Sequence, residues 1–166
     1  PATGWAVKLM PKTDRGARLS SVFCGYNEAL RGSGWYPMPP TWSKLSVGVL
    51  DEKSGSMYGH RMLRSIQNNG ASYMLAFRND TACGRSISVK LERIAGFPSS
   101  MKTAVYDPST GETQELASAD DEFTLSADAG GRTITYRERA DRRHLLPLGE
   151  AGLLYSTALV EIAFDT

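Results

Sequence analysis

Two histidines, His60 and His144, are the only imidazoles in the chain. Acyl transfer of the triad type needs a Ser or Cys nucleophile beside one of them, and no Gly-x-Ser-x-Gly elbow occurs. The two histidines are far apart in sequence and have no carboxylate at metal-ligand spacing, which makes a poor transition-metal centre. Asp120, Asp121 and Glu122 are consecutive. Such a run before a strand reads either as a solvated turn or as a Ca²⁺ ligand set completed by backbone carbonyls, with Asp120 and Asp121 the candidate ligands. There is no phosphate-cradling GxxxxGK[ST] or GxGxxG; the glycine-rich pieces are turns. Asn79-Asp80-Thr81 matches the N-glycosylation acceptor, a motif relevant only in a secreted protein of a suitable host.

Aromatic side chains offer a different chemistry. Trp5, Trp35, Tyr36, Trp42 and Tyr58 could stack on the C–H faces of sugar rings while polar neighbours take the hydroxyls. Alternatively they bury ~150–250 Å² each in a core. Trp35, Tyr36 and Trp42 fall in one irregular stretch, Asn27 to Ser43, where Gly32, Gly34, Pro37, Pro39 and Pro40 disfavour helix or central strand. Long loops of this kind either carry function or close the end of a core. These three are the candidate sugar-stacking residues. Cys24 and Cys83 are the only cysteines; they form either one disulfide or two separate thiols, and spacing does not decide between them.

Charge points to no polyanion. Lys plus Arg number 19 against 18 Asp plus Glu, and the cluster Arg137, Arg139, Arg142 and Arg143 is interleaved with Glu138 and Asp141, as on a solvated face. No run approaches the ~20 apolar residues of a membrane span. The chain opens Pro1-Ala2-Thr3-Gly4 with neither an initiator Met nor a signal peptide, which reads as a processed product or a piece of a longer protein.

The elements that must position these residues are strands. Ile87 to Leu91, Lys102 to Tyr106, Thr113 to Leu116, Phe123 to Leu125 and Thr133 to Tyr136 are short runs, most with alternating apolar and polar residues, the period of a strand with one buried face. Their separators are turn chemistry, Asp107-Pro108-Ser109-Thr110-Gly111 and Asp128-Ala129-Gly130-Gly131. Successive strands so joined predict an antiparallel sheet, and a second sheet on its apolar face predicts a sandwich. Upstream, Trp5 to Met10 is a strand stopped by Pro11. Ala17 to Tyr26 is a second, with Leu19, Val22 and Phe23 its apolar members. Leu45 to Val49 follows, then a hairpin at Asp51 to Gly55, a return strand Met57 to Ile66, a turn at Asn68-Asn69-Gly70 and a strand Ser72 to Phe77. Val160, Ile162 and Phe164 mark a last strand. A helical period is absent, apart from a possible short helix near Glu150 to Leu154. The expectation is one all-β domain over residues 1–166, an antiparallel, jelly-roll-like β-sandwich.

Ile87 to Glu92, then Ala104-Val105-Tyr106-Asp107-Pro108-Ser109-Thr110-Gly111-Glu112, then Phe123 to Leu125 resembles the accessory β-sandwich modules of large secreted bacterial proteins. Those modules are appended to glycoside hydrolases or precede C-terminal sorting domains, and are mostly non-catalytic. The resemblance covers about Ile87 to Leu125 and carries no residue roles. It implies an extracellular or cell-surface module whose partner is a polysaccharide or a neighbouring domain, without nucleic acid and without a cofactor beyond the Ca²⁺ option. A purely structural or assembly module is the competing class, and a hydrolase that gathers carboxylates around His60 or His144 is the third.

Overall fold

The computed structural model describes residues 4–40, 43–66, 70–94, 96–108, 110–118, 120–128 and 156–165, with side chains at 156 and 157 excepted. Among these there is no helix. Twelve strands run in order: β1 Gly4–Thr13, β2 Val22–Asn27, β3 Trp35–Tyr36, β4 Leu45–Leu50, β5 Met57–Tyr58, β6 His60–Leu63, β7 Ala71–Asn79, β8 Arg85–Arg93, β9 Lys102–Asp107, β10 Glu112–Leu116, β11 Glu122–Ala127 and β12 Ser156–Asp165. They form two six-stranded sheets, ordered β11-β8-β1-β2-β6-β3 and β10-β9-β12-β7-β4-β5.

Alternation sets which residues meet. Val7 and Leu9 of β1, Val22 and Cys24 of β2, and Ile87, Val89 and Leu91 of β8 point inward from the first sheet. Val47 and Val49 of β4, Leu75 and Phe77 of β7, and Val160, Ile162 and Phe164 of β12 point inward from the second. All belong to one buried cluster, so the sheets share a core in a sandwich-like arrangement. At one end Trp5 packs against Phe97 and Phe164 with ring centroids 5.3 and 5.1 Å away. Tyr73 crosses the core, its hydroxyl donating to the Gly25 carbonyl at 2.6 Å. The other face of the second sheet carries a smaller buried cluster, Leu50, Met74, Ala76 and Leu159.

Several expectations are corrected. The strands from Arg85 to Ala127 do not form one meander. β8 pairs with β11 in the first sheet, while β9 and β10 form a hairpin in the second. The chain therefore crosses to the other sheet after β8 and returns after β10, and β7 pairs with β12 around that unit. Pairing is antiparallel except between β2 and β6, which run parallel. Pro11 does not stop β1. Its carbonyl accepts from Leu19 N–H at 3.1 Å on the side away from β8, so its missing N–H would face the same way and the β8 ladder loses nothing. Nor is Met57 to Ile66 one return strand: β5 pairs with β4 in the second sheet, and after Gly59 the chain continues as β6 in the first. A Cβ at Gly59 would lie 3.2 Å from both the Met38 Cα and the Pro37 carbonyl, so the corner is closed against a side chain. β2 starts only at Val22; residues 17–21 contribute a single bridge, Lys12 to Arg18. The last strand lies where Val160, Ile162 and Phe164 placed it, as a central member of its sheet. Thr133 to Tyr136, the Arg137 to Arg143 cluster, His144 and the Glu150 to Leu154 segment lie outside the described residues.

Candidate functional site

The three strands at one edge of the first sheet carry a row of outward rings, of which Tyr36 is exposed and Phe23 and His60 are half-buried. Val22 and Cys24 face the core, so Phe23 between them must face outward. Its register partner on β6 is His60, and the partner of His60 on β3 is Tyr36. The three rings form a row across the outer face, with Phe23 to His60 5.5 Å and His60 to Tyr36 4.8 Å between centroids. Strand spacing of ~4.8 Å sets this pitch. The same row continues through Lys8 on β1, opposite Phe23, to Glu92 on β8, opposite Lys8. One face thus presents an aromatic surface bordered by a cation and an anion. Tyr36 is 40% exposed, the most accessible ring of the row.

His60 is flanked by rings instead of carboxylates. Its Nε2 is buried with no hydrogen-bond partner, and burial pushes its pKa below the ordinary value. At neutral pH the imidazole is therefore uncharged and acts as a flat ring. Among the described residues no three His, Cys, Asp or Glu side chains gather as a metal site.

Behind the platform, Trp35 turns the other way and packs against the shared core. Its ring lies 4.9 Å from Tyr58, and the Arg61 guanidinium sits 4.1 Å above it. Arg61 Nη1 donates to the Ser33 carbonyl at 2.8 Å, and Arg64 donates to the Leu30 and Gly32 carbonyls at 3.2 and 3.1 Å. These two arginines fasten the loop that delivers β3. Gly34, at φ 80°, lets its carbonyl accept from Met62 N–H at 2.7 Å. Tyr36 is thereby held on the edge strand β3, in register with His60 of β6.

The remaining candidates scatter. Trp42 lies outside the described residues. Trp5 is only 5% exposed and belongs to the core. Asp121 ties its own turn, its Oδ2 accepting from Ala117 and Ser118 N–H at 2.5 and 2.8 Å, while Asp120 is exposed beside it. Cys24 and Cys83 are both free, the first buried and the second exposed, so the disulfide alternative is not formed. Burial raises the Cys24 thiol pKa strongly. Asn79 of the glycosylation motif is fully buried. Its Nδ2 donates to the carbonyls of Cys83, Ala127 and Asp128 at 2.9, 3.0 and 3.1 Å. An amide so engaged locks the β7–β8 turn and leaves no room for a glycan.

Sequence reasoning weighed His60 only as a catalytic or metal-binding imidazole and Phe23 only as an apolar member of its strand, and did not join either to Tyr36 as an outward ring. Val22-Phe23-Cys24 held the signal, because a period of two cannot bury all three, yet nothing in sequence brings β6 beside β2. No protein-family model, curated protein or solved structure matches the chain.

Proposed function

We propose that the protein is a non-catalytic glycan-binding module whose contact surface is the outward row Tyr36, His60 and Phe23. The observation that carries this reading is three adjacent rings on one outer sheet face, with Tyr36 well exposed and Lys8 and Glu92 continuing the row. Sugar C–H faces stack on such rings, and the flanking charges take hydroxyls. Trp35, favoured from sequence, supports the platform from behind through Arg61 and Tyr58 and does not form its surface. The neutral imidazole suits stacking better than proton transfer, since its buried Nε2 has no hydrogen-bond partner to orient it.

The nested path β7-β8-β9-β10-β11-β12, with β7 paired to β12, β8 to β11 and β9 to β10, supports a jelly-roll-like reading of the sandwich. In that scheme β1 occupies the place beside β8. An extracellular setting, where polysaccharide is the available partner, is part of the same proposal.

Affinity electrophoresis on a panel of neutral and acidic soluble polysaccharides tests it. Retardation of the wild type on at least one glycan is expected, with Tyr36→Ala weakening binding about tenfold, the loss of one stacking contact. Wild-type mobility unchanged on every glycan removes the proposal. Concentration-dependent association by light scattering, abolished by Tyr36→Ala, would instead assign the platform to self-assembly.

A further inference from the structure

The outer face of the first sheet does not end at its rings. Past Phe23 it continues onto β1 and β8, where Lys8, Met10 and Lys12 alternate with buried residues of β1, and Ser88, Lys90 and Glu92 with those of β8. Register sets Lys90 opposite Met10, which lies between Lys8 and Lys12, and Arg18 bridges to Lys12 on the other side. Three lysines therefore surround one methionine, with an arginine beyond; Lys12, Arg18 and Lys90 are exposed. Two carboxylates share these rows, Glu92 opposite Lys8 and Glu122 opposite Lys90. A third, Asp14, is already held by Arg85 at 2.6 Å. Among the described residues the ion pairs are Arg78–Asp80 and Arg85–Asp14, so none of the four cations is neutralised by contact. Over the whole chain 19 basic residues balance 18 acidic ones, and strand pairing gathers a local excess that this sum conceals.

Such a face favours an anion of low charge density. Duplex nucleic acid, with one charge per ~1.7 Å of axis, would press phosphates onto Glu92 and Glu122. A polymer with one carboxylate per sugar can place its charges on the lysines and its hydroxyls on the glutamates. The aromatic row leads straight into this patch: Tyr36, His60, Phe23 and Lys8 are successive register partners. We infer that rings and lysines form one continuous surface for an acidic polysaccharide, a polyuronate, with sugar faces on Tyr36 and carboxylates on Lys8, Lys12 and Lys90. The inference rests on the glycan-binding reading and names the ligand class of that surface. Tyr36 and Lys8 are three strand spacings apart, ~14 Å, so a chain of several sugars is needed to engage both halves.

Affinity electrophoresis of the whole chain in gels holding polygalacturonate, or the same polymer with its carboxylates methyl-esterified, tests it. Stronger retardation by the free acid is expected, and added salt should erase the difference. Lys12→Gln and Lys90→Gln, both on exposed side chains, should each weaken binding to the acid about threefold, the size of one exposed charge contact, and leave the ester unchanged. Glu122→Gln removes an anion and should strengthen binding to the acid by a similar factor. Tyr36→Ala should weaken both polymers. Equal retardation by acid and ester would overturn the acidic class while leaving the glycan-binding reading in place. Wild-type affinity for the acid in both lysine variants would overturn it as well, and so would tighter retention by double-stranded DNA at the same ionic strength. Binding to the acid that the lysine variants weaken but Tyr36→Ala does not would overturn the single continuous surface. No retardation by these polymers or by any other glycan removes both readings together.

Discussion

Asn79→Asp replaces one NH2 by one oxygen with almost no change of volume, yet it should be among the most damaging substitutions in the chain. In the native protein Nδ2 faces three carbonyl oxygens at 2.9–3.1 Å, and Oδ1 accepts from the Thr81 N–H and hydroxyl at 2.9 and 2.6 Å. These partners fix which amide atom is which. Aspartate turns the donor side into a second acceptor, so a buried carboxylate oxygen confronts three carbonyls. Lost and unsatisfied hydrogen bonds at ~1–3 kcal/mol each suggest about 3–6 kcal/mol in total. That is a large share of a typical stability of ~5–15 kcal/mol. Protonation restores one donor, so the folded-state pKa of the new carboxyl lies above its unfolded value. Folding of the variant then takes up a proton, and its deficit shrinks as pH falls toward the unfolded carboxyl range. Urea unfolding at pH 7 and at pH 4.5, wild type and variant in parallel, reads both effects. A deficit below ~1 kcal/mol at pH 7 would refute the account. So would a deficit unchanged at pH 4.5, because a mere packing defect has no such pH signature.

Native protein should react with one equivalent of a thiol reagent, at Cys83, and denatured protein with two; a native count of zero would mean a disulfide or a covered Cys83. Tyr73→Phe removes the hydroxyl that bonds Gly25 across the core and should cost ~1–2 kcal/mol in chemical unfolding, with an unchanged midpoint counting against that bond. The lowered pKa of His60 means that just below its unfolded value of 6.5 the unfolded chain binds more protons than the native one. Stability should accordingly fall on acidification through that window, and His60→Phe should flatten the fall; identical pH profiles would show that His60 is not the group responsible.

Strand positions were largely legible because side-chain alternation is local. Leu45 to Val49, Ile87 to Leu91 and Val160 to Phe164 declare one buried face each, and Asp51 to Gly55 declares a turn. The structure bears this out in detail, with Gly55 N–H on the Asp51 carbonyl at 2.8 Å. Strand ends were less legible. Pro11 reads as a breaker until its carbonyl is seen to point away from the neighbour that continues the ladder. Gly59 reads as an ordinary residue of one strand until the chain is seen to change sheets there.

Periodicity thus determined an all-β chain and most of the residues that face the core, because a two-residue repeat is written into the order of side chains. It did not determine which strands are neighbours, since pairing is chosen by packing between segments far apart in sequence. Only the tertiary structure set β6 parallel to β2 and antiparallel to β3. That choice turned Phe23, His60 and Tyr36 into one surface and sent Trp35 inward beneath Arg61, while the pairing of β8 with β1 set Lys90 beside Met10, between Lys8 and Lys12.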